Sequence, residues 1–202
     1  MIATVALVVL AAIAIGAWSL SHHPATHGAA GGASSSAKPS GNASATVLKP
    51  VSAHGFDVYS NDASDENNQF AALAIDGNPS TDWYTEFYLN NPVFGGLKPG
   101  TGLILDMGKP VKLSSVQVMF GPSVGANVAI EVGNNNTRAV STLSTFTTVA
   151  KATDIGGTYT FRTTSSAQGR YVLIWFTKLP PLAGSSNKFE GQIYNVVVRG
   201  SG

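Results

Sequence analysis

The hydrophobic positions divide this chain into three unlike stretches. Residues 1–20 are almost continuously apolar, broken only by Thr4 and Ser19. As a helix rising about 1.5 Å per residue they would extend roughly 30 Å, the thickness of a bilayer's hydrocarbon core. Trp18 stands near the end of the run, where an indole suits the membrane–water boundary. A transmembrane helix is expected here. A signal peptide is the alternative: Ile15-Gly16-Ala17 supplies small residues for cleavage, but no Lys or Arg precedes the run, which exceeds the usual ~7–15 apolar residues. An apolar run beginning at Met1 also fits the tail of a longer membrane protein. Residues 21–51 are rich in Ala, Gly, Ser and Pro and nearly free of large apolar side chains, the pattern of a flexible linker. His22, His23 and His27 fall in it and read as solvated spacer, since nothing there would orient metal-bound imidazoles.

Residues 52–202 change to a β pattern. Phe56–Tyr59, Leu103–Met107, Leu113–Phe120, Val128–Val132, Tyr159–Phe161, Tyr171–Phe176 and Ile193–Arg199 are expected strands. Val116, Val118 and Phe120 alternate onto one face, as do Val128, Ile130 and Val132. Tyr171–Phe176 is apolar on both faces and reads as a central strand. Gly108-Lys109-Pro110 closes the strand before it. Asp62, Asp65 and Glu66 precede a helical turn at Gln69–Ile75, where acidic side chains would cap free N–H groups. Short strands separated by turn residues, without a βαβ rhythm, predict an all-β sandwich.

Composition sharpens this picture. Charged residues make up 11% of the chain, against about 25% in typical soluble domains. There is no cysteine, which excludes disulfides and thiol chemistry. From Gly55 onward there are 10 Lys/Arg and 11 Asp/Glu, a net of −1. That balance offers no electrostatic footprint for nucleic acid.

The densest local signal is Ile75-Asp76-Gly77-Asn78-Pro79-Ser80-Thr81-Asp82-Trp83. Gly77 accepts positive φ, Asp76 and Asn78 fold back on the local backbone, and Pro79 stiffens the exit. Such a turn gathers oxygens, which suits a hard cation or a rigid corner beside a buried indole.

Taken in order, Ala74–Asn78 with Thr81 and Trp83, Gly102–Gly108, Val128–Val132, Gly169–Ile174 and Ile193–Gly200 resemble the discoidin or coagulation-factor C-domain family. The resemblance implies a galactose-binding-like jelly-roll β-sandwich over about Gly55–Gly200. The helix–linker–domain layout, with Phe94-Gly95-Gly96-Leu97-Lys98, further resembles the C-terminal end of actinobacterial MviN-type flippase partners and transmembrane kinases or pseudokinases. That likeness implies a single-pass protein of the cytoplasmic membrane with its β-domain outside the cytoplasm. The family resemblance also implies a structural Ca²⁺ held by Asp76, Asn78, Thr81 and a residue of the last strand. Asn195 stands there in place of the usual glutamate, and the lost charge should weaken the site. Ligands of the family bind loops at one end of the sandwich. Tyr84–Pro99, Gly121–Asn127 and Lys178–Gln192 are the matching loops, and Tyr88, Phe94, Asn127 and Phe189 are the candidate contacts. Aromatics stack on the apolar faces of sugars, and amides serve their hydroxyls. The arginine that many sugar-binding relatives place near Gly121–Asn127 is missing.

Catalytic readings fail on placement. Gly121-Pro122-Ser123-Val124-Gly125 matches a nucleophile elbow as a string, but a strand follows it and all four histidines precede it. Asp82 and Glu86 have no further support as a glycosidase pair. No phosphate loop is present at Gly95–Gly102. The family resemblance and the aromatic loops imply a membrane-anchored module that binds a cell-envelope glycan or glycolipid, such as peptidoglycan or its precursor. The alternative is docking of an envelope protein.

Overall fold

The computed structural model describes residues 45–59, 65–134, 140–164 and 167–202. The helix expected at residues 1–20, and most of the linker, lie outside them. No helix of the described residues is long and apolar enough to cross a membrane.

Eleven strands are described: β1 (Thr46–Leu48), β2 (Ser52–Asp57), β3 (Trp83–Tyr84), β4 (Tyr88–Leu89), β5 (Thr101–Phe120), β6 (Ala126–Gly133), β7 (Thr147–Ile155), β8 (Thr158–Arg162), β9 (Gln168–Lys178), β10 (Lys188–Phe189) and β11 (Gln192–Ser201). β5 organises them. Its first half, Thr101–Asp106, pairs with β2 and β9, and its second half pairs with β11 and β8. The sequence predicts two separate strands broken at Gly108-Lys109-Pro110. The chain instead bends there and continues, with a register break between Asp106 and Val111. Gly108 takes φ +76°, and Asp106 accepts its N–H at 2.7 Å and both arms of Arg170 at 2.9 and 2.8 Å. The bend carries β5 from one layer, β2-β5-β9-β6-β7, into the other, β1-β11-β5-β8.

Between the layers lies the main core, where Leu103, Leu105, Ile130, Ile174 and Phe176 meet Val116, Val118, Ile193 and Val198. Each such side chain contributes about 1.5–3 kcal/mol by leaving water. A second cluster occupies the outer face of β9: Phe56, Ile104, Tyr171, Leu173 and Trp175, capped by Leu143 and Phe146 from the Val140–Thr145 turn and its exit. That cover is why Tyr171–Phe176 is apolar on both sides.

Three local expectations are corrected. β1 lies inside the stretch read as linker and pairs with β11 through Thr46↔Gly200 and Leu48↔Val198, so the sandwich includes residues before 52. The first predicted strand lies earlier, at Ser52–Asp57. The acidic residue Glu66 does not cap a helix. It sits at φ 48° in a 3-10 segment, Asp65–Ile75, and is buried.

Candidate functional site

The Asp-Gly-Asn corner folds as its residue types dictate. Gly77 takes φ +79°. Asp76 Oδ1 accepts the Asn78 N–H at 2.7 Å, and Asn78 Oδ1 accepts the Ser80 N–H at 3.1 Å. The Thr81 hydroxyl lies 2.9 Å from Asp76 Oδ2 and 3.0 Å from the Asn78 carbonyl. Three oxygens of the expected cation set thus converge, and they are donors of the right kind for Ca²⁺. The charge is thin: one carboxylate, both of whose oxygens already accept bonds within the turn. Asn195 is on β11 opposite Met119. If Ca²⁺ is held here, Asp76, Asn78 and Thr81 are its ligands, and the same groups also hydrogen-bond one another within the turn. Among the described residues, no group of three or more His, Cys, Asp or Glu side chains has metal-binding geometry.

The corner hands the chain to Trp83, whose buried indole N–H donates to the Glu66 carbonyl at 2.7 Å. Glu66 then works through its side chain. One oxygen accepts the Glu86 N–H at 3.2 Å and the other is ion-paired with Lys98. Lys98 also meets Asp57 of β2 at 2.5 Å, with its ammonium 5.5 Å from the Tyr88 ring centroid. Burial opposes the Lys98 charge, but the attraction of Glu66 and its bonds to Asp57 and Glu66 outweigh this and hold its pKa above the ordinary value. Burial pushes Glu66 up, with Lys98 opposing the shift. One ammonium between two carboxylates leaves a surplus negative charge beneath the loop Tyr84–Pro99.

Above this network lies a small ribbon, β4 against β10, with Tyr88 opposite Phe189 and Leu89 opposite Lys188. Several backbone bonds fasten it: Asn90 N–H to the Asn187 carbonyl, Leu179 N–H to that of Pro92, Glu190 N–H to that of Pro180, and Thr85 N–H to that of Gly191. The Gly121–Asn127 loop joins the same end, since a Cβ on Gly125 would lie 3.3 Å from Pro181, which bridges to Phe189.

The four predicted contacts meet different fates. Tyr88 and Phe189 are cross-strand neighbours, each half-buried. Phe94 is a correction: it is 0% exposed, at φ 49°, with its ring edge-on to Tyr88 at 5.4 Å. It plugs the core beneath the ribbon, and that burial offsets a backbone conformation costly for a bulky residue. Asn127 serves the fold, its Oδ1 accepting the Asp154 N–H at 3.0 Å where β6 meets β7. Phe87, of the same loop but outside the four expected contacts, is 47% exposed with the Lys188 ammonium 4.3 Å from its ring centroid. Leu89, Val93 and Leu97 are exposed beside it. A run of large apolar residues in a polar, Gly- and Asn-rich loop was the available signal. Glu190, also at this end, is held above its ordinary pKa by burial and by Asp82 and Glu86.

No family model matches the chain. Solved structures share its architecture. The chitosan-binding module 1 of a Paenibacillus sp. IK-5 chitosanase/glucanase aligns with TM-score 0.51 and 18% identity over 76% of this chain and 98% of that one. The family 32 carbohydrate-binding module of Clostridium perfringens NanJ, solved with galactose, gives 0.51 and 20% over 77% and 98%. Truncated AlyQ, with family 32 and alginate lyase domains, gives 0.51 and 19% over 78% and 34%. The fold is a galactose-binding-like β-sandwich. At these identities the likeness extends to the fold alone. None of these structures supports the narrower likeness to membrane flippase partners and kinases.

Proposed function

We propose that this domain is a non-catalytic glycan-binding module whose ligand face is the loop end carrying the β4–β10 ribbon. The supporting observation is the ribbon itself. It gathers Phe87, Tyr88 and Phe189 with Lys188 at one end of a sandwich whose fold is shared with carbohydrate-binding modules. The aromatic rings offer apolar faces for sugar C–H groups, and Lys188 and Glu190 offer a donor and an acceptor for hydroxyls. The Lys98 network beneath holds the ribbon in place before any ligand arrives, which lowers the ordering cost of binding.

The partner class we favour is a cell-envelope glycan or glycolipid, with peptidoglycan or its precursor foremost. The domain would be held outside the cytoplasm by residues 1–20. Reaction chemistry has no support in the serine string, since strand β6 rather than a helix follows Ser123. An array of cell-wall fragments probed with the full chain in mild detergent tests the proposal. Binding to one glycan class, lost on Phe87→Ala with Phe189→Ala, supports it. Silence across the array rejects it.

The exposure of Leu89, Val93 and Leu97 favours a second reading, a docking face for an envelope protein. Capture of an envelope protein that survives Phe87→Ala but not Leu97→Asp would favour that reading.

A further inference from the structure

We propose a second binding site, for an acidic glycan, on the outer face of the layer β1-β11-β5-β8. Four arginines occur in the chain. Arg138 lies outside the described residues, and Arg170 is clamped to Asp106. The other two fall in one row: Arg199 of β11 stands opposite Ser115 of β5, and Ser115 opposite Arg162 of β8. Val47 of β1 extends the row beyond Arg199. Their chain neighbours Val198, Val116 and Phe161 are buried in the core, so alternation turns Arg199, Ser115 and Arg162 outward. At about 4.8 Å between strands, the two arginine Cα atoms stand roughly 10 Å apart. The next row on the same face is Val197, Gln117 and Thr160, where the Gln117 amide donates to the Thr160 hydroxyl at 3.2 Å.

The two cations select the ligand class. Neither guanidinium has a hydrogen-bond or ion-pair partner among the described residues. Residues 46–48, 111–120, 158–162 and 192–201, which form this layer, carry no Asp or Glu. Apart from Asp62 and Asp65, every carboxylate of the chain is described, and none is ion-paired to either arginine. Two forked guanidiniums on either side of a serine hydroxyl suit oxyanions, carboxylate or phosphate, each of which accepts paired N–H bonds. Membrane surfaces are held by clusters of about four to eight Lys/Arg, more than this row supplies. The Gln117 amide oxygen and the hydroxyls of Ser115 and Thr160 serve sugar hydroxyls, so the acidic group is one carried on a glycan. Ser115 is five residues from Phe120 along β5, about 17 Å from where that strand meets the loop end.

This site does not depend on the loop-end proposal, and one experiment separates them. The full chain in mild detergent, labelled for amide NMR, is titrated with trigalacturonate and glucose 1-phosphate, and in parallel with uncharged galactotriose and with hexaglutamate. The expected result is saturable shifts of the Ser115, Arg162 and Arg199 amides with at least one acidic sugar, at millimolar affinity, and none with galactotriose. The shifts should fade in about 1 M salt, where charges are screened beyond about 3 Å. Arg162→Gln with Arg199→Gln should weaken binding at least about tenfold, or about 1.4 kcal/mol, with the melting temperature unchanged and any shifts at Phe87 and Lys188 persisting. Arg162→Lys with Arg199→Lys, which keeps the charge but not the paired bonds, should weaken it less. The proposal is overturned by unmoved amides with both acidic sugars up to about 10 mM, tenfold above a millimolar Kd. Equal binding of galactotriose, tighter binding of hexaglutamate, or affinity untouched by the glutamine pair overturns it as well. Shifts at Phe87 and Lys188 alone would leave the loop-end reading standing and remove this one.

Discussion

Lys98 supports the loop end, and its loss should be felt more than that of any exposed charge. Lys98→Met would strand Asp57 and Glu66 as buried carboxylates without their cation. The expected cost is about 3–5 kcal/mol in urea unfolding. Glu66→Gln should cost less, because Asp57 still neutralises the ammonium. The pH dependence follows from the same pair. Lys98 is held above its ordinary 10.5, so its contribution is whole below that pH and drains away as the pH rises toward the raised value. Wild type should therefore lose stability above about pH 10.5 on a limb that Lys98→Met lacks. Glu66, raised by burial, contributes below its ordinary 4.5 and loses that contribution as the pH rises through its raised value. At neutral pH it relies on Lys98. Nothing in the sequence spacing joined residues 57, 66 and 98; long-range pairing on β2 and the turn after it did. The Asp76 corner, by contrast, could be read from residue types alone, since its bonds are local. Because the groups of that corner also bond one another, Ca²⁺ near its Kd should add only about 0.4 kcal/mol. Melting in chelator and in millimolar Ca²⁺ should then agree within about 2 °C. A rise of about 10 °C on adding Ca²⁺ would make the corner a metal site in its own right.

Strand β5 shows how far the pattern of a single element can be trusted. Its two halves were legible because each carries its own hydrophobic face. Their union was not, because Gly-Lys-Pro reads as a stop, whereas the bend is held by the Gly108–Asp106 bond and by the Asp106–Arg170 clamp to β9. β7 was missed for a related reason: it is an edge strand written in Thr, Ala and Lys, and its partner β6 supplies the order. The β4–β10 ribbon was also invisible, being two residues on each side and joined across about a hundred positions. Close packing of β5 on β9 gives a sharp test. A Cβ on Gly102 would fall 2.2 Å from the Ile174 carbonyl oxygen, against backbone that cannot turn aside. Gly102→Ala should cost at least the roughly 1–3 kcal/mol typical of overpacking, with a lower urea midpoint. At the other edge, β1 covers β11. Deleting residues 46–48 should bare that edge and raise light scattering on storage, since an open strand edge recruits other chains.

At the scale of the molecule, the sandwich was the most legible feature, because many short alternating strands with no helix rhythm leave few other architectures. The proposed ligand face was legible only in outline. Its loops come from the sequence, but Phe94, a candidate contact, is buried while Phe87 of the same loop is exposed, since composition does not say which aromatic of a loop turns inward. The central claim is that the loop end recognises a glycan through that exposed aromatic group. The most direct measurement is calorimetric titration of full-length wild type and Phe87→Ala with the glycan that scores highest on the cell-wall array, alongside their melting temperatures. The account predicts binding by wild type and a loss of about 1–3 kcal/mol in the variant, the span of one well-placed aromatic contact, with melting unchanged. Equal affinity for both proteins, or no heat from wild type with any glycan of the array, would contradict it.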